Sequence, residues 1–401
     1  RNPIWVLTDM AYDVMLSQTP QALRTPVVWR LPGCGGGKTA LFCGAAQTLG
    51  AELQALGARH IFLVIGRHAA RTDTKAVILN SLRASGITWD VYSEIPAEPH
   101  LEDALQMAEA MKGARYDAVV GVGGGSVLDL AKLAAHNVDG ALCSRVRAAV
   151  FSGPRLPLVL LPTTSGTGSE VSPYAVVTVD GKKVFYTSEN LLPNAALIDP
   201  LLTVSMPLRT TAATALDALT HALEGAMGRP VPFTSAIAAE TLRLILDALP
   251  RALENGEDVQ ARYDLSFASV MAMMGYAIGG GLYAHSVSYI LTLEKGAAHG
   301  VGCGLALPFT MKLNETYIRP FISRLESVCS GSSPAAQIRR LYLESGLPEN
   351  LQAFGYREEE IPRLAELLLT KYGRKTNPRT YTDADAQRLF AAMYHGNLEE
   401  L

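Results

Sequence analysis

Cysteine is scarce in this chain, and its placement excludes more than it offers. The five cysteines (Cys34, Cys43, Cys143, Cys303 and Cys329) are odd in number and scattered, with no Cys-x-x-Cys among them. That argues against a disulfide framework or a zinc site built on thiolates, and it points to a reducing, cytoplasmic setting. Any metal would have to be held by histidine and carboxylate. Apolar stretches such as 61–65 and 156–161 are strand-length, far short of the roughly 20 residues that span a bilayer. The first ten residues, Arg1 to Met10, show no basic region followed by a long apolar run, so no secretory leader is expected. No basic block stands out from 35 Lys and Arg set against 38 Asp and Glu. Neither nucleic acid nor a membrane surface is therefore an expected partner.

What is abundant is apolar material, 48% of 401 residues, more than one ordinary core needs, so two domains are expected. The first half alternates strand-like and helical stretches. Residues 27–30, 60–65, 89–92, 117–122 and 157–161 read as buried strands. Residues 38–56, 73–84, 101–112 and 127–136 read as helices. This alternation predicts a parallel sheet with helices on its faces. Stretches 174–179, 183–186 and 195–198 look like extra strands near the end of that domain. Beyond Pro207 the strand signals vanish, and Ala/Leu-rich stretches at 210–227, 234–249, 261–274 and 364–372 predict an all-helical domain. The expected division is 1–205, α/β, and 206–401, helical. The short junction at 199–208 favours a stiff two-domain body with a cleft.

Two loops follow strands. Residues 117–126, Asp-Ala-Val-Val-Gly-Val-Gly-Gly-Gly-Ser, run from a buried strand through glycines into a helix. Glycine lets backbone amides approach a phosphate, and the helix start offers unpaired N–H groups at a positive dipole end. Residues 161–170, Leu-Pro-Thr-Thr-Ser-Gly-Thr-Gly-Ser-Glu, concentrate hydroxyls suited to a diphosphate or a ribose. Each alone also reads as a simple helix cap. Two on successive strand ends favour a dinucleotide. In the second half, Asp217 and His221 stand four apart in a helical segment and so share a face. His285 and His299 follow in two further short segments. A hydrogen-bonded core role for each histidine, and a helix salt bridge for Asp217, are the plainer alternatives. Together, one carboxylate and three imidazoles suit Fe(II) or Zn(II).

Taken in order, these motifs resemble the iron-containing (group III) alcohol dehydrogenase family over nearly the whole chain. The likeness rests on the loops at 123–126 and 162–170, on Asp-Ala-Leu-Thr-His-Ala-Leu-Glu at 217–224, on His299-Gly300, and on Thr376-Asn-Pro-Arg379 before a last helix. The resemblance implies a Rossmann-like N-terminal domain and a helical C-terminal domain, the architecture shared with dehydroquinate synthase. It implies metal ligands Asp217, His221, His285 and His299. It implies phosphate contacts from Gly123, Gly124, Gly125 and Ser126, nicotinamide-side contacts from Thr163, Thr164 and Thr167, and a cofactor-contacting Lys183. It also implies a small aldehyde or alcohol as substrate, and a homodimer.

The chain departs from the family pattern at three places. Tyr289 stands where many members have a further histidine, which makes it a candidate proton relay. Gly66-Arg67-His68 lacks the acid that pairs with a ribose 2′-hydroxyl, and Arg67 suits a 2′-phosphate, so NADP(H) is favoured over NAD(H). Glu98-Pro99 replaces a common Asn-Pro. The segment 285–299 most resembles phosphonoacetaldehyde reductases, and Lys295, Arg145 and Arg147 are its candidate partners for an anionic tail. Hydroxyacid-oxoacid transhydrogenases share the Ser-Tyr at 288–289, and a lyase of the dehydroquinate synthase type shares the architecture.

Overall fold

The structure, a computed structural model, describes residues 11–30, 37–138, 140 and 142–401. The leader expectation at 1–10 and the placement of Cys34 fall outside the described residues. The chain forms two compact units. One runs up to Thr164 and includes Ser169–Ser205; the other comprises Ser165–Gly168 and Met206–Leu401.

The first unit is built on strands β1 (Val27–Arg30), β2 (Lys38–Leu41), β3 (His60–Ile65), β4 (Thr88–Tyr92), β5 (Ala118–Gly123), β6 (Leu158–Pro162), β7 (Tyr174–Val179), β8 (Lys182–Thr187) and β9 (Ala195–Ile198). Seven of them form one sheet in the order β1-β2-β9-β6-β5-β3-β4. All pairings are parallel except that of β1 with β2. The central strands β5, β6 and β9 are buried at every position. Their runs of Val, Leu and Ala suit strands covered on both faces. The register sets Gly123 beside Pro162, so the two glycine- and hydroxyl-bearing loops leave the sheet side by side. Strands β7 and β8 form a separate hairpin, turned by Asp180 and Gly181, both at positive φ (48° and 70°), the backbone that an Asp-Gly hairpin turn requires.

Two sequence expectations need correction here. Residues 38–56 are not one helix. Lys38–Leu41 is strand β2, bonded on both sides, and the α-helix covers only Leu49–Ala55. Gly44, at φ 104°, separates the two in a conformation that a helix cannot contain. Stretches 27–30 and 89–92 are strands but not buried ones. They lie at the two ends of the sheet, where Val27, Val28 and Val91 are exposed. Stretch 195–198 is a strand near the end of the unit, as expected, and sits between β2 and β6 inside the main sheet.

The second unit is helical; among the described residues every strand precedes Asp199. Its main helices are Leu208–Gly228, Pro232–Glu254, Val259–Gly279, Tyr283–Lys295 and His299–Asn314. Small residues let them approach closely. A Cβ on Gly225 would lie 2.6 Å from the Gly275 carbonyl oxygen, and one on Gly300 would overlap the Ala213 carbonyl. The start of the His299–Asn314 helix is thereby pressed against the helix that carries Asp217. No single helix among the described residues is long and apolar enough to cross a membrane.

Candidate active site

Three helices of the second unit converge on Asp217. His221 lies one turn further along the same Leu208–Gly228 helix, His285 lies in the first turn of Tyr283–Lys295, and His299 opens His299–Asn314. The Asp217 Oδ1 atom is 4.0 Å from His221 Nε2, 4.0 Å from His285 Nε2 and 3.6 Å from His299 Nε2. Asp217, His221 and His285 are buried. Asp217 Oδ1, His221 Nδ1 and His285 Nε2 nevertheless have no hydrogen-bond partner. Buried polar atoms are nearly always satisfied, so the unpaired Asp217 Oδ1 and His285 Nε2, which face one another, fit a cation held between them, whereas the unpaired nitrogen of His221 is Nδ1 and the one toward Asp217 is Nε2. The charge states agree. Burial works to raise the Asp217 carboxyl, but His221, His299 and His285 overcome it and hold the group below its ordinary range. Burial and the neighbouring imidazoles push His285 well down, leaving it neutral. An ionised carboxylate beside neutral imidazole is what metal ligation requires.

Neighbours fix which ring nitrogen faces inward. Glu224 contacts His285 Nδ1 at 2.6 Å and accepts from the Leu282 and Ala284 amides at 2.5 and 2.7 Å. It thus caps the Tyr283–Lys295 helix while committing Nδ1, so that Nε2 is left for a ligand. Ser288 Oγ donates to the His299 carbonyl at 2.7 Å and lies 2.9 Å from His299 Nδ1. As an acceptor there, it fixes the same tautomer on His299. The sequence reading assigned neither residue a role. Glu224 was within reach, being seven residues beyond Asp217 on the same helical face.

A thiol also enters the donor group. Ligand atoms of Asp217, His285, His299 and Cys303 all lie within 4.8 Å of one another, with Cys303 Sγ 3.6 Å from His299 Nε2. The expectation of histidine and carboxylate alone thus omitted a nearby sulfur, although Cys303 follows His299 at the same four-residue spacing that singled out Asp217 and His221. The His221 ring packs edge-on to Tyr276 at 4.6 Å and lies 4.8 Å from the His285 ring. Tyr289 stacks on His299, with ring centroids 5.4 Å apart and planes 13° from parallel. Burial pushes its phenol well above the ordinary value, so the hydroxyl stays protonated. The guanidinium of Arg374 lies 5.7 Å from the Tyr289 ring.

In the first unit, Gly123, Gly124, Gly125 and Ser126 lead from β5 into the helix Gly125–Ala135, whose N-cap, Gly124, provides no side-chain cap. Thr163 donates its amide to the Gly123 carbonyl at 2.9 Å, and a Cβ on Gly124 would come within 3.3 Å of Thr164 Cγ2. The structure therefore brings Gly123–Ser126, Thr163 and Thr164 together at the carboxyl ends of β5 and β6, where doubly wound sheets take nucleotides. The uncapped amides and the space a Cβ would fill suit a diphosphate. Ser126 donates to the Ala97 carbonyl, next to Glu98, and Glu98 pairs with Lys183 on β8. Lys183 thus stands near the loop but already has an acidic partner. Arg67 is exposed just beyond β3. Thr167 belongs to Ser165–Gly168, which packs within the second unit: Gly168 abuts Met273, and Ser165 bonds Ser266 at 3.0 Å.

Comparison with known proteins agrees with this geometry. Residues 37–200 match the family described as iron-containing alcohol dehydrogenase, and residues 211–394 match its C-terminal counterpart. The chain is 32% identical to long-chain-alcohol dehydrogenase 1 of Geobacillus thermodenitrificans, over 89% of this chain and 95% of that protein. It is 30% identical to a sulfoacetaldehyde reductase of Bilophila wadsworthia, over 68% of this chain and 71% of that one. Among solved structures, an alcohol dehydrogenase from Oenococcus oeni superposes with a TM-score of 0.82 at 26% identity, covering 88% of this chain and 97% of that one.

Proposed function

Because the chain belongs to the iron-containing alcohol dehydrogenase family, we propose that it reduces a small aldehyde to an alcohol, or runs the reverse reaction, with a divalent metal and a nicotinamide cofactor. The observation that carries this reading is the pair of unsatisfied atoms, Asp217 Oδ1 and His285 Nε2, facing one another in a buried site. Asp217, His221, His285 and His299 are the residues that would hold Fe(II) or Zn(II). Such an ion supplies Lewis acidity toward a carbonyl oxygen, and a dihydronicotinamide supplies the hydride.

The protein's own part is positioning and proton supply. Glu224 and Ser288 orient two imidazoles. Tyr289, kept neutral by burial, presents a hydroxyl as hydrogen-bond donor beside His299 and is the proposed proton relay. Gly123–Ser126, Thr163 and Thr164 receive the cofactor's phosphates and its nicotinamide side, joined by Thr167 and Lys183. Arg67, exposed beyond β3 with no acid replacing it, favours NADP(H), with NAD(H) as the alternative. The resemblance at 285–299 and the sulfoacetaldehyde reductase among the relatives support an anionic aldehyde such as phosphonoacetaldehyde. We also propose a homodimer and a cytoplasmic setting.

The test is an aldehyde panel run with NADPH and NADH on protein loaded with Fe(II) or Zn(II). Aldehyde-dependent loss of reduced-cofactor absorbance is expected. Turnover that needs a second oxoacid and no free cofactor would instead indicate a transhydrogenase. Cofactor cycling with release of a cyclised product would indicate a lyase. His285→Ala is expected to abolish both metal retention and turnover.

A further inference from the structure

We propose that Arg374 reads a negative charge on the substrate, so that the aldehyde taken here carries a phosphonate, sulfonate or carboxylate group. This rests on the reductase reading above and assigns its substrate class to a side chain that the sequence motifs do not include.

The argument starts from position. Arg374 Nε donates to Ser286 Oγ at 2.7 Å, and Ser286 is the neighbour of His285. Ser286 Oγ itself donates to the Tyr372 carbonyl at 2.8 Å, so its lone pair is turned to the arginine and the guanidinium is held in place. The guanidinium also lies over Tyr289, whose ring stacks on His299. Arg374 therefore stands within one side chain of two of the four candidate ligands.

Charge is the second point. Arg374 forms no ion pair among the described residues. Glu224 feels its field, but the Glu224 oxygens are already committed to two amides and His285. Asp217 is directed at the imidazoles. The partners that hold Arg374, Ser286 and Tyr289, are both neutral. A guanidinium presents five N–H donors in a planar fork that matches carboxylate, sulfonate and phosphonate oxygens. Fixed at Nε and without a carboxylate partner, it is a preformed receptor for such a group.

Two of the three cations suggested by the sequence are engaged in contacts of their own. Lys295 lies over the Tyr356 ring at 4.3 Å and donates to the Gly355 carbonyl. Arg145 donates to the His136 carbonyl in the first unit, and Arg147 is an exposed residue of the same short helix.

The test compares wild type, Arg374→Gln and Arg374→Lys, all metal-loaded, on phosphonoacetaldehyde, sulfoacetaldehyde, succinic semialdehyde and neutral butyraldehyde. Calorimetric titration with 2-hydroxyethylphosphonate, the alcohol product, gives a readout independent of turnover. In Arg374→Gln the ratio of kcat/KM for anionic over neutral aldehyde is expected to fall about 100-fold, mainly through KM, as loss of a charge-assisted contact implies. The lysine variant should recover part of it, and product binding should weaken in parallel. Equal losses on all four aldehydes, or an unchanged ratio, would overturn the proposal while leaving the reductase reading intact. Arg374-dependent binding without turnover of any aldehyde would do the reverse. Comparable melting temperatures for the three proteins separate these outcomes from misfolding.

Discussion

An imidazole offers a metal one nitrogen when something else commits the other, and here that partner differs from ligand to ligand. For His285 it is a buried carboxylate, Glu224, whose own carboxyl burial pushes up to about 7. For His299 it is the Ser288 hydroxyl. Removing such outer partners costs about 10- to 100-fold in metal affinity. Glu224→Ala is therefore expected to lower affinity for Zn(II) by that factor in competition with a chromophoric chelator. Glu224→Gln should lose less, because its one amide oxygen can still accept from the Leu282 amide and His285 Nδ1, which share Glu224 Oε2, while the bond from the Ala284 amide to Oε1 is lost. At this scale the sequence was legible where chemistry is local. Asp217 and His221 share one helix face, and their spacing alone brings them forward. Glu224 and Arg374 were not legible, because their roles depend on where a different segment ends up: the start of Tyr283–Lys295 for one, Ser286 and Tyr289 for the other. Tyr289 stands out in the sequence as a candidate proton relay only through the family histidine it replaces. Its stacking on His299 makes Tyr289→Phe a clean probe, expected to lower kcat about 100-fold if the hydroxyl delivers the proton, while metal content stays at the wild-type level.

Among elements, the site depends on helices that approach more closely than side chains normally allow. A Cβ on Gly279 would fall on the Gly225 carbonyl oxygen, and backbone cannot yield as a flexible side chain can. Gly279→Ala is thus expected to destabilise the second unit by about 1–3 kcal/mol, read as a lowered midpoint in urea. Gly300→Ala should add loss of metal, since it moves the start of the helix that carries His299. The first unit holds a different liability. Glu170 is buried near Lys132, and burial raises its carboxyl to about 7, against its own backbone hydrogen bond and Lys132. A carboxyl whose folded pKa lies above its unfolded one binds more protons when folded. It therefore stabilises the fold at low pH and loses that contribution as pH rises through about 7. Replacing it by Gln should flatten the fall in melting temperature across that window. Element reading from sequence succeeded for β5 and β6, whose continuous apolar runs end in glycine or proline. It failed for β2 because Lys38-Thr-Ala-Leu41 carries no strand period of its own. Hydrogen bonds from β1 and β9 make it a strand, and such pairing partners lie too far away in the chain to be seen locally.

For the whole molecule, the same buried donors tie function to stability. A cation that binds only the folded state stabilises it in proportion to the logarithm of its free concentration over its dissociation constant, about 4 kcal/mol at a thousandfold excess. Chelation should accordingly lower the melting temperature without changing helix content, and readdition of Fe(II) or Zn(II) should restore it. Assembly has a separate signature at the sheet's end. Among the described residues β1 pairs on one side only, with β2, and its Val27 and Val28 are 48% and 51% exposed. Arg30 at its end and Pro26 just before it guard part of this edge, but the exposed Val27-Val28 pair leaves an apolar stretch open to pairing with another chain, which a second copy of this one satisfies in the proposed homodimer. Light scattering should then give about twice the chain mass of 42.9 kDa. Val28→Lys should shift it toward the single-chain value, because a buried lysine would meet its symmetry mate across the joined edges. A dimer that survives Val28→Lys unchanged would place the interface on another face.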